Sequence, residues 1–227
     1  MSTRMKYLAM LFAIAFTPPQ DVVGQAEKQF PYLRLGIDAG YFQPQGAWTD
    51  HRYAPGADLF RGSATIRGEI ELRMRKWGIA LNAGYTNLDA GAWEEYARAR
   101  GDEIDASASL TQFGLLLKPY LKTRHPHVVK LEFGLIYSLP KGEERFAGRR
   151  FDYDFLKSSF GFMAGMGYDR YLSQSTALTF RFGEVFVPGG VQYADGVKYG
   201  LNGMPITVGI RFDMGSASGG KSPDGGR

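Results

Sequence analysis

The sequence has 227 residues, of which 44% are hydrophobic and 22% are charged, and its formal net charge is only +4. It contains no cysteine, which excludes disulfides, thiolate metal sites, a cysteine nucleophile and a lipid-modified N-terminal cysteine. No clustered basic face with interleaved aromatic residues is present, so a nucleic-acid partner is not expected. The 30 glycines, 13 tyrosines and 16 phenylalanines instead favour a β-rich chain with many turns.

The N-terminal 26 residues have the pattern of a secretory signal peptide. Arg4 and Lys6 precede an apolar run over residues 7–16, and a polar stretch then ends in the small residues Gly24 and Ala26. Ten apolar residues are too few to span a bilayer as a helix, which takes roughly 20. We therefore expect cleavage near Ala26, and we expect the mature chain to enter a membrane only as strands.

Eight segments of the mature chain alternate between apolar and polar or small residues with a period of two, which is typical of β-strands. They cover residues 32–42, 61–74, 77–85, 107–120, 128–139, 158–168, 176–186 and 205–214. The connections alternate in length: 43–60, 86–106, 140–157 and 187–204 are long, whereas 75–76, 121–127 and 169–175 are short. This layout predicts an all-β fold: an eight-stranded antiparallel up-and-down transmembrane β-barrel over residues 27–214, with four long external loops and three short periplasmic turns.

The stretch IRGEIELRMR (residues 66–75) raises the question of which strand face meets lipid. Only residues 90–103 look helical, and they are too short and too charged to cover an apolar sheet. The face opposite the aliphatic residues is rich in glycine and alanine with charges between them, which suits a crowded interior better than a solvated exterior. We therefore expect the aliphatic face to meet lipid and the charged face to line the lumen.

The charges on the predicted inner face nearly balance, so they are expected to form an ion-pair network that closes the lumen. The predicted network comprises the cations Arg34, Arg67, Arg73, Lys130, Arg181 and Arg211 and the anions Asp38, Glu69, Glu71, Glu132 and Asp213. An eight-stranded barrel leaves little interior space beyond its own side chains, which favours a closed core over a pore. A narrow small-solute pore remains an alternative.

Aromatic residues recur at strand ends on the apolar face, as in the aromatic girdles of membrane barrels. The predicted girdle consists of Tyr41, Trp77, Tyr85, Tyr137, Tyr168 and Phe212. Trp77 and Tyr85 bracket the third segment, whose eight steps of about 3.3 Å, tilted by roughly 40°, give a height of ~20 Å against an apolar band of ~25 Å.

The hairpin-like stretch GFMAGMGYDRYLSQSTALTFRFGE (161–184) resembles the small outer-membrane β-barrels of the OmpA and OmpX type. The ending TVGIRFDM (207–214) is similar to the insertion signal that the barrel-assembly machinery reads, with Thr207, Gly209, Phe212 and Met214 in the required positions. The resemblance implies an outer-membrane location and that machinery as a partner during insertion. Unlike the usual pattern, a Gly/Ser-rich segment over 215–227 follows the signal, and we expect it to be a flexible periplasmic tail.

No motif predicts a catalytic residue, a metal site or a cofactor. His125 and His127 lack a third ligand nearby in sequence, and His51, on the first predicted external loop, lacks the serine and carboxylate partners of a hydrolase. A lipid A acyltransferase or deacylase is therefore kept only as an alternative.

The leading hypothesis is a non-enzymatic outer-membrane barrel whose loops serve envelope integrity, adhesion or partner binding. Its expected partners are outer-membrane lipid and lipopolysaccharide, whose phosphates could meet a basic cluster in the third long loop: Lys141, Arg145, Arg149 and Arg150.

Overall fold

The computed structural model describes residues 30–46, 60–124, 126–192 and 198–214. The predicted signal peptide and the predicted tail lie outside the described residues, so both remain predictions. The elements in chain order are β1 (Tyr32–Gly46), β2 (Ser63–Arg73), β3 (Trp77–Leu88), α1 (Gly91–Ala99), β4 (Ile104–Arg124), β5 (His127–Phe146), β6 (Arg149–Asp152), β7 (Ser159–Tyr171), β8 (Thr176–Phe186), β9 (Val191–Gln192), β10 (Lys198–Tyr199) and β11 (Leu201–Met214). None of the described helices is both long and apolar enough to traverse a membrane.

Eight of the described strands form a closed antiparallel barrel, which confirms the predicted fold. Their order is β4-β3-β2-β1-β11-β8-β7-β5, and β4 pairs with β5 to complete the ring. The first and last strands meet along a seam that begins at Leu33 opposite Met214 and runs to Gly46 opposite Leu201. We call the end with the β2–β3, β4–β5 and β7–β8 connections the short-turn end, and the opposite end the long-loop end.

The alternation of the sequence becomes an alternation of burial in every barrel strand. In β2, Arg67, Glu69 and Glu71 are buried, whereas Ile66 and Ile70 are about half exposed, at 49% and 53%. Successive side chains of a strand point to opposite faces, so a closed sheet separates the two sets completely. The charged set therefore lies inside the barrel and the aliphatic set outside.

The predicted long loops contain regular structure, most of it in 86–106 and 140–157. Strands β4 and β5 extend beyond the barrel and pair up to Ile104 opposite Phe146, and β5 then turns through Ala147 and Gly148 into β6. Both turn residues have positive φ, 50° and 74°, as a two-residue hairpin turn requires. This hairpin was expected to be loop. Because β6 is exposed on both faces, its sequence does not alternate between apolar and polar residues.

The helix α1 lies within the predicted helical stretch and packs beside β4. Together, α1, the extended ends of β4 and β5, β6 and the following loop form one projection at the long-loop end, covering residues 91–110 and 139–157. We call this projection the arm.

Candidate functional site

The short-turn half of the barrel interior holds a dense network of ion pairs. Arg181 Nη1 lies 2.9 Å from both Asp38 Oδ2 and Glu69 Oε2, and its Nε donates to Glu132 Oε2 at 2.8 Å. Arg211 Nη2 pairs with the same Asp38 oxygen at 2.7 Å. These side chains are at most 2% exposed, so each charge depends on its protein partners for stabilisation.

Lys118 belongs to this network, although the sequence analysis did not include it. Its ammonium group pairs with Glu69, and it lies 3.5 Å from Glu71 Oε2 and 3.6 Å from Glu132 Oε1. The alternation of β4 could have identified it, because Lys118 is an even number of residues from Gln112 and therefore lies on the same inner face.

A second missed member, Asp169, organises the network nearest the short turns. Its carboxylate receives Lys130 Nζ at 2.7 Å, Arg34 Nη1 at 2.8 Å and the Thr179 hydroxyl at 2.6 Å. Arg34 Nε also donates to Asp213 at 2.6 Å. Asp169 was expected in a turn over 169–175, but β7 continues to Tyr171 and carries the aspartate inward.

Two predicted members of the network, Arg67 and Arg73, differ from expectation. Both are buried, yet among the described residues neither forms an ion pair. Arg67 Nη1 lies 3.7 Å from Met163 Sδ, and the Arg73 guanidinium lies over the ring of Tyr120. The guanidinium of Arg67 therefore lies at the boundary between the charged and the apolar parts of the interior. The guanidinium of Arg73 is stabilised in part by a cation–π interaction with Tyr120.

Glycines on the inner face make room for the network. A Cβ at Gly36 would clash with the Arg211 guanidinium, and one at Gly209 would clash with Asp38. These two glycines stand on paired strands, so each side of the seam leaves space for the other's charge. The glycine-rich inner face is therefore part of the ion-pair geometry.

The long-loop half of the interior is apolar, which the sequence analysis did not predict. A buried hydrophobic cluster fills it, contributed by inward residues of several strands: Phe42, Leu110, Leu116, Ile136, Met163, Val185, Val187 and Leu201. We call this cluster the plug. It packs against Trp93, Ala106, Tyr153, Phe155 and Leu156 of the arm. The interior is thus occupied by ion pairs at one end and by packed apolar side chains at the other.

The parts of the arm are held together by half-buried carboxylate contacts. The Trp93 indole and the Tyr153 hydroxyl donate to Glu144 Oε2 at 3.1 and 3.2 Å, and Glu94 accepts the backbone N–H of Ala106 at 2.9 Å. Burial and the neighbouring Glu144 raise the pKa of Tyr153, so its phenol stays protonated and donating. These contacts join α1, β5 and the loop after β6 into one rigid unit.

The four predicted basic contact residues all lie on the arm and are exposed. Lys141 and Arg145 are on β5, while Arg149 and Arg150 are on β6. Register pairs Arg145 with Arg150, and Arg150 also contacts Glu143 and, at 3.3 Å, Asp152. The hairpin therefore brings two of the cations together and partly neutralises one of them.

The predicted girdle residues all point outward, in two groups. Register places Tyr41, Tyr85 and Tyr137 towards the long-loop end and Trp77, Tyr168 and Phe212 towards the short-turn end. Of the predicted insertion signal, Phe212 and Met214 are exposed on the outer face, whereas Thr207 is buried and Gly209 shares its inner face.

The described residues contain no group of three histidine, cysteine or acidic side chains able to hold a metal ion. His127 Nδ1 lies 2.6 Å from the Tyr168 hydroxyl on the outer face. His51 and His125 lie outside the described residues. The enzymatic alternative depends on His51, so it stays a prediction.

Solved structures with this fold include bacterial outer-membrane proteins. A major outer membrane protein from Thermus thermophilus matches with a TM-score of 0.54 at 11% identity, over 82% of this chain and 100% of that chain. Neisserial surface protein A (NspA) matches with a TM-score of 0.51 at 13% identity, over 79% of this chain and 96% of that chain. No protein-family model matches the sequence, and no curated protein is significantly similar to it. The fold of the small outer-membrane β-barrels is thereby confirmed for this chain.

Proposed function

We propose that this protein is an integral outer-membrane barrel whose closed body holds the arm outside the cell, and that it is neither a channel nor an enzyme. The supporting observation is the combination of an apolar outer surface with a charged, filled interior. Ile70, Leu81, Leu115 and Leu135 are 50–62% exposed and adjacent in register across four strands. A contiguous surface of this kind is unfavourable in water and favourable against hydrocarbon.

The proposed orientation puts the short turns in the periplasm and the arm outside, as in other barrels with this loop pattern. Export would use the predicted signal peptide, and insertion would use Thr207, Gly209, Phe212 and Met214 as the signal for the barrel-assembly machinery. In this orientation the exposed cations Lys141, Arg145, Arg149 and Arg150 project towards lipopolysaccharide. Guanidinium and ammonium groups bind phosphate strongly, which supports a role in envelope integrity or in contact with a partner at the surface.

The location is tested by expressing the full-length chain in a Gram-negative host. We expect the protein in the outer-membrane fraction, with faster gel migration before boiling than after it. External protease should cleave within the arm in intact cells but should leave the barrel protected. Recovery of the chain as a soluble periplasmic monomer would contradict the proposal.

The channel alternative is tested by conductance in planar bilayers. The plug and the ion-pair network both occupy the interior, so flat current traces are expected at every voltage at which the bilayer is stable. Reproducible unitary steps would instead support the pore alternative. The enzymatic alternative is tested by mass spectrometry of lipid A from cells with and without the protein, and we expect identical spectra.

A further inference from the structure

A polar groove lies on the outer face of the barrel at the base of the arm. It has a volume of about 550 Å³ and is lined by Asn87, Ser107, Ser109, Lys141, Glu143 and Lys157, among others. The loop over 153–157 borders it and is held by two backbone hydrogen bonds, Tyr153 N–H to the Gly142 carbonyl and Lys157 N–H to the Gly190 carbonyl, both 2.8 Å. A Cβ at Gly142 would clash with the Tyr153 ring, so the glycine allows this close approach.

A second groove on the outer face is apolar and lies nearer the middle of the barrel. It has a volume of about 790 Å³ and lies over the small residues Gly68 and Ala83, with Phe113, Tyr137 and Phe160 along one side. These five residues form a single row across five strands. No atom lies within 4 Å of the position that a Cβ would take at Gly68, so the outer surface is hollow there.

The two grooves are aligned on the same three strands. Asn87, Ser109 and Lys141 are mutually paired in the polar groove, and Ala83, Phe113 and Tyr137 are mutually paired in the apolar one. Only the row of Tyr85, Thr111 and Leu139 separates them. The polar groove therefore lies one outward-facing row from the apolar groove, and this arrangement has the polarity profile of a membrane lipid.

The polar groove offers two exposed ammonium groups to the phosphate of a headgroup. Its charged lining consists of three cations, Lys141, Arg150 and Lys157, and three anions, Glu143, Asp152 and Asp154. Arg150 is paired with Glu143 and Asp152, so Lys141 and Lys157 are the cations left to contact a phosphate. The groove is larger than a phosphate group, and its serine hydroxyls, asparagine amide and carboxylate suit the hydroxyls of a sugar.

We infer that the two grooves form one binding site for a single phosphorylated glycolipid of the outer leaflet. Its phosphate and sugar lie against Lys141, Lys157 and Ser109, and one of its acyl chains fills the hollow over Gly68 and Ala83. This inference rests on the proposed outer-membrane location, because it requires both grooves to face the outer leaflet.

The test is native mass spectrometry of the full mature protein in detergent, titrated with bis-phosphorylated lipid A and, separately, with phosphatidylglycerol. We expect one lipid A per wild-type barrel. Lys141→Ala combined with Lys157→Ala removes the headgroup charges, and Ala83→Phe fills the apolar hollow; each variant should weaken lipid A binding at least about tenfold. Two matched controls should bind as the wild type does: Ala164→Phe, at an exposed alanine of β7, and Arg75→Ala combined with Lys76→Ala, at the β2–β3 turn.

Unchanged lipid A binding in both groove variants would overturn the inference, as would equally tight binding of phosphatidylglycerol. A dimer that is lost in Ala83→Phe would show that a second copy of the chain occupies the hollow instead. Gel migration before and after boiling is measured first for every variant. A wild type that does not form a heat-modifiable barrel would overturn the proposed function together with this inference, whereas a folded barrel with groove-independent lipid binding would overturn the inference alone.

Discussion

At the scale of single residues, the interior depends on matched charges from strands that are distant in sequence. Arg181 contacts Asp38, Glu69 and Glu132, and it is 143 residues away from Asp38. Sequence parity was enough to place these side chains inside, but not to pair them. For the same reason it could not show that Arg67 and Arg73 would form no ion pair with any carboxylate in the described part of the chain.

Replacing Arg181 by leucine should lower the free energy of unfolding by about 3–5 kcal/mol, because three buried carboxylates lose their shared partner. The measurement is urea-induced unfolding in micelles, followed by tryptophan fluorescence. Arg150→Leu is the matched control on the arm, where an exposed ion pair contributes about 0–1 kcal/mol. Similar losses in the two variants would show that the buried network does not stabilise the barrel.

The inner glycines permit a second residue-scale prediction. Gly36→Ala should destabilise the barrel by about 1–3 kcal/mol, since the added methyl group would displace the Arg211 side chain. Gly68→Ala is the control, because the outward-facing Gly68 has free space and the change should stay within about 0.5 kcal/mol. The two variants are compared by the same unfolding experiment, and equal stability of both would contradict a packing role for Gly36.

At the scale of elements, the arm shows what strand periodicity does not detect. Alternation predicted β1 to β3 well, but β6 and the extended ends of β4 and β5 were expected to be loop. A strand that is exposed on both faces is not required to alternate, because neither face is buried in a core or in lipid. The arm is instead organised by Glu144 and its two donors, which come from separate elements.

Glu144→Ala should loosen the arm without unfolding the barrel. Hydrogen bonds to a charged group contribute about 1.5–3 kcal/mol, so local opening should become roughly 10- to 100-fold more frequent. Limited proteolysis within 91–110 and 139–157 measures this opening, and gel migration before boiling reports on the barrel. The control is Glu103→Gln, at an exposed residue of the arm, and equal cleavage rates in the two variants would exclude the proposed role of Glu144.

At the scale of the whole molecule, two kinds of packing fill the interior. The ion-pair network occupies the short-turn half, and the plug occupies the long-loop half. The first was predicted from the sequence but the second was not, because the large apolar residues of the inner face, such as Leu116, Ile136 and Met163, are scattered among polar and small residues on several strands. A narrow barrel allows both solutions, since either charged pairs or packed hydrocarbon can fill its limited interior.

Phe42→Ala tests these two kinds of packing. Removing the large plug side chain should lower the free energy of unfolding by about 3–5 kcal/mol. The variant should still give flat current traces in a planar bilayer, because the ion pairs remain in the other half. A stable unitary conductance in this variant would show that the plug alone closes the barrel.

The sequence by itself determined the number of barrel strands, the face of each strand that points inward and the alternation of short turns with long connections. These features follow from the two-residue period of each strand, which can be recognised in the sequence without knowing which strands are its neighbours. The tertiary structure decided which charges pair, where the apolar plug lies and how the arm is built. Those features depend on closure of the sheet, which brings Arg34 to Asp213 across 179 residues of chain. Contacts of that kind leave no periodic trace in the sequence, because each partner is selected by the geometry of the closed barrel.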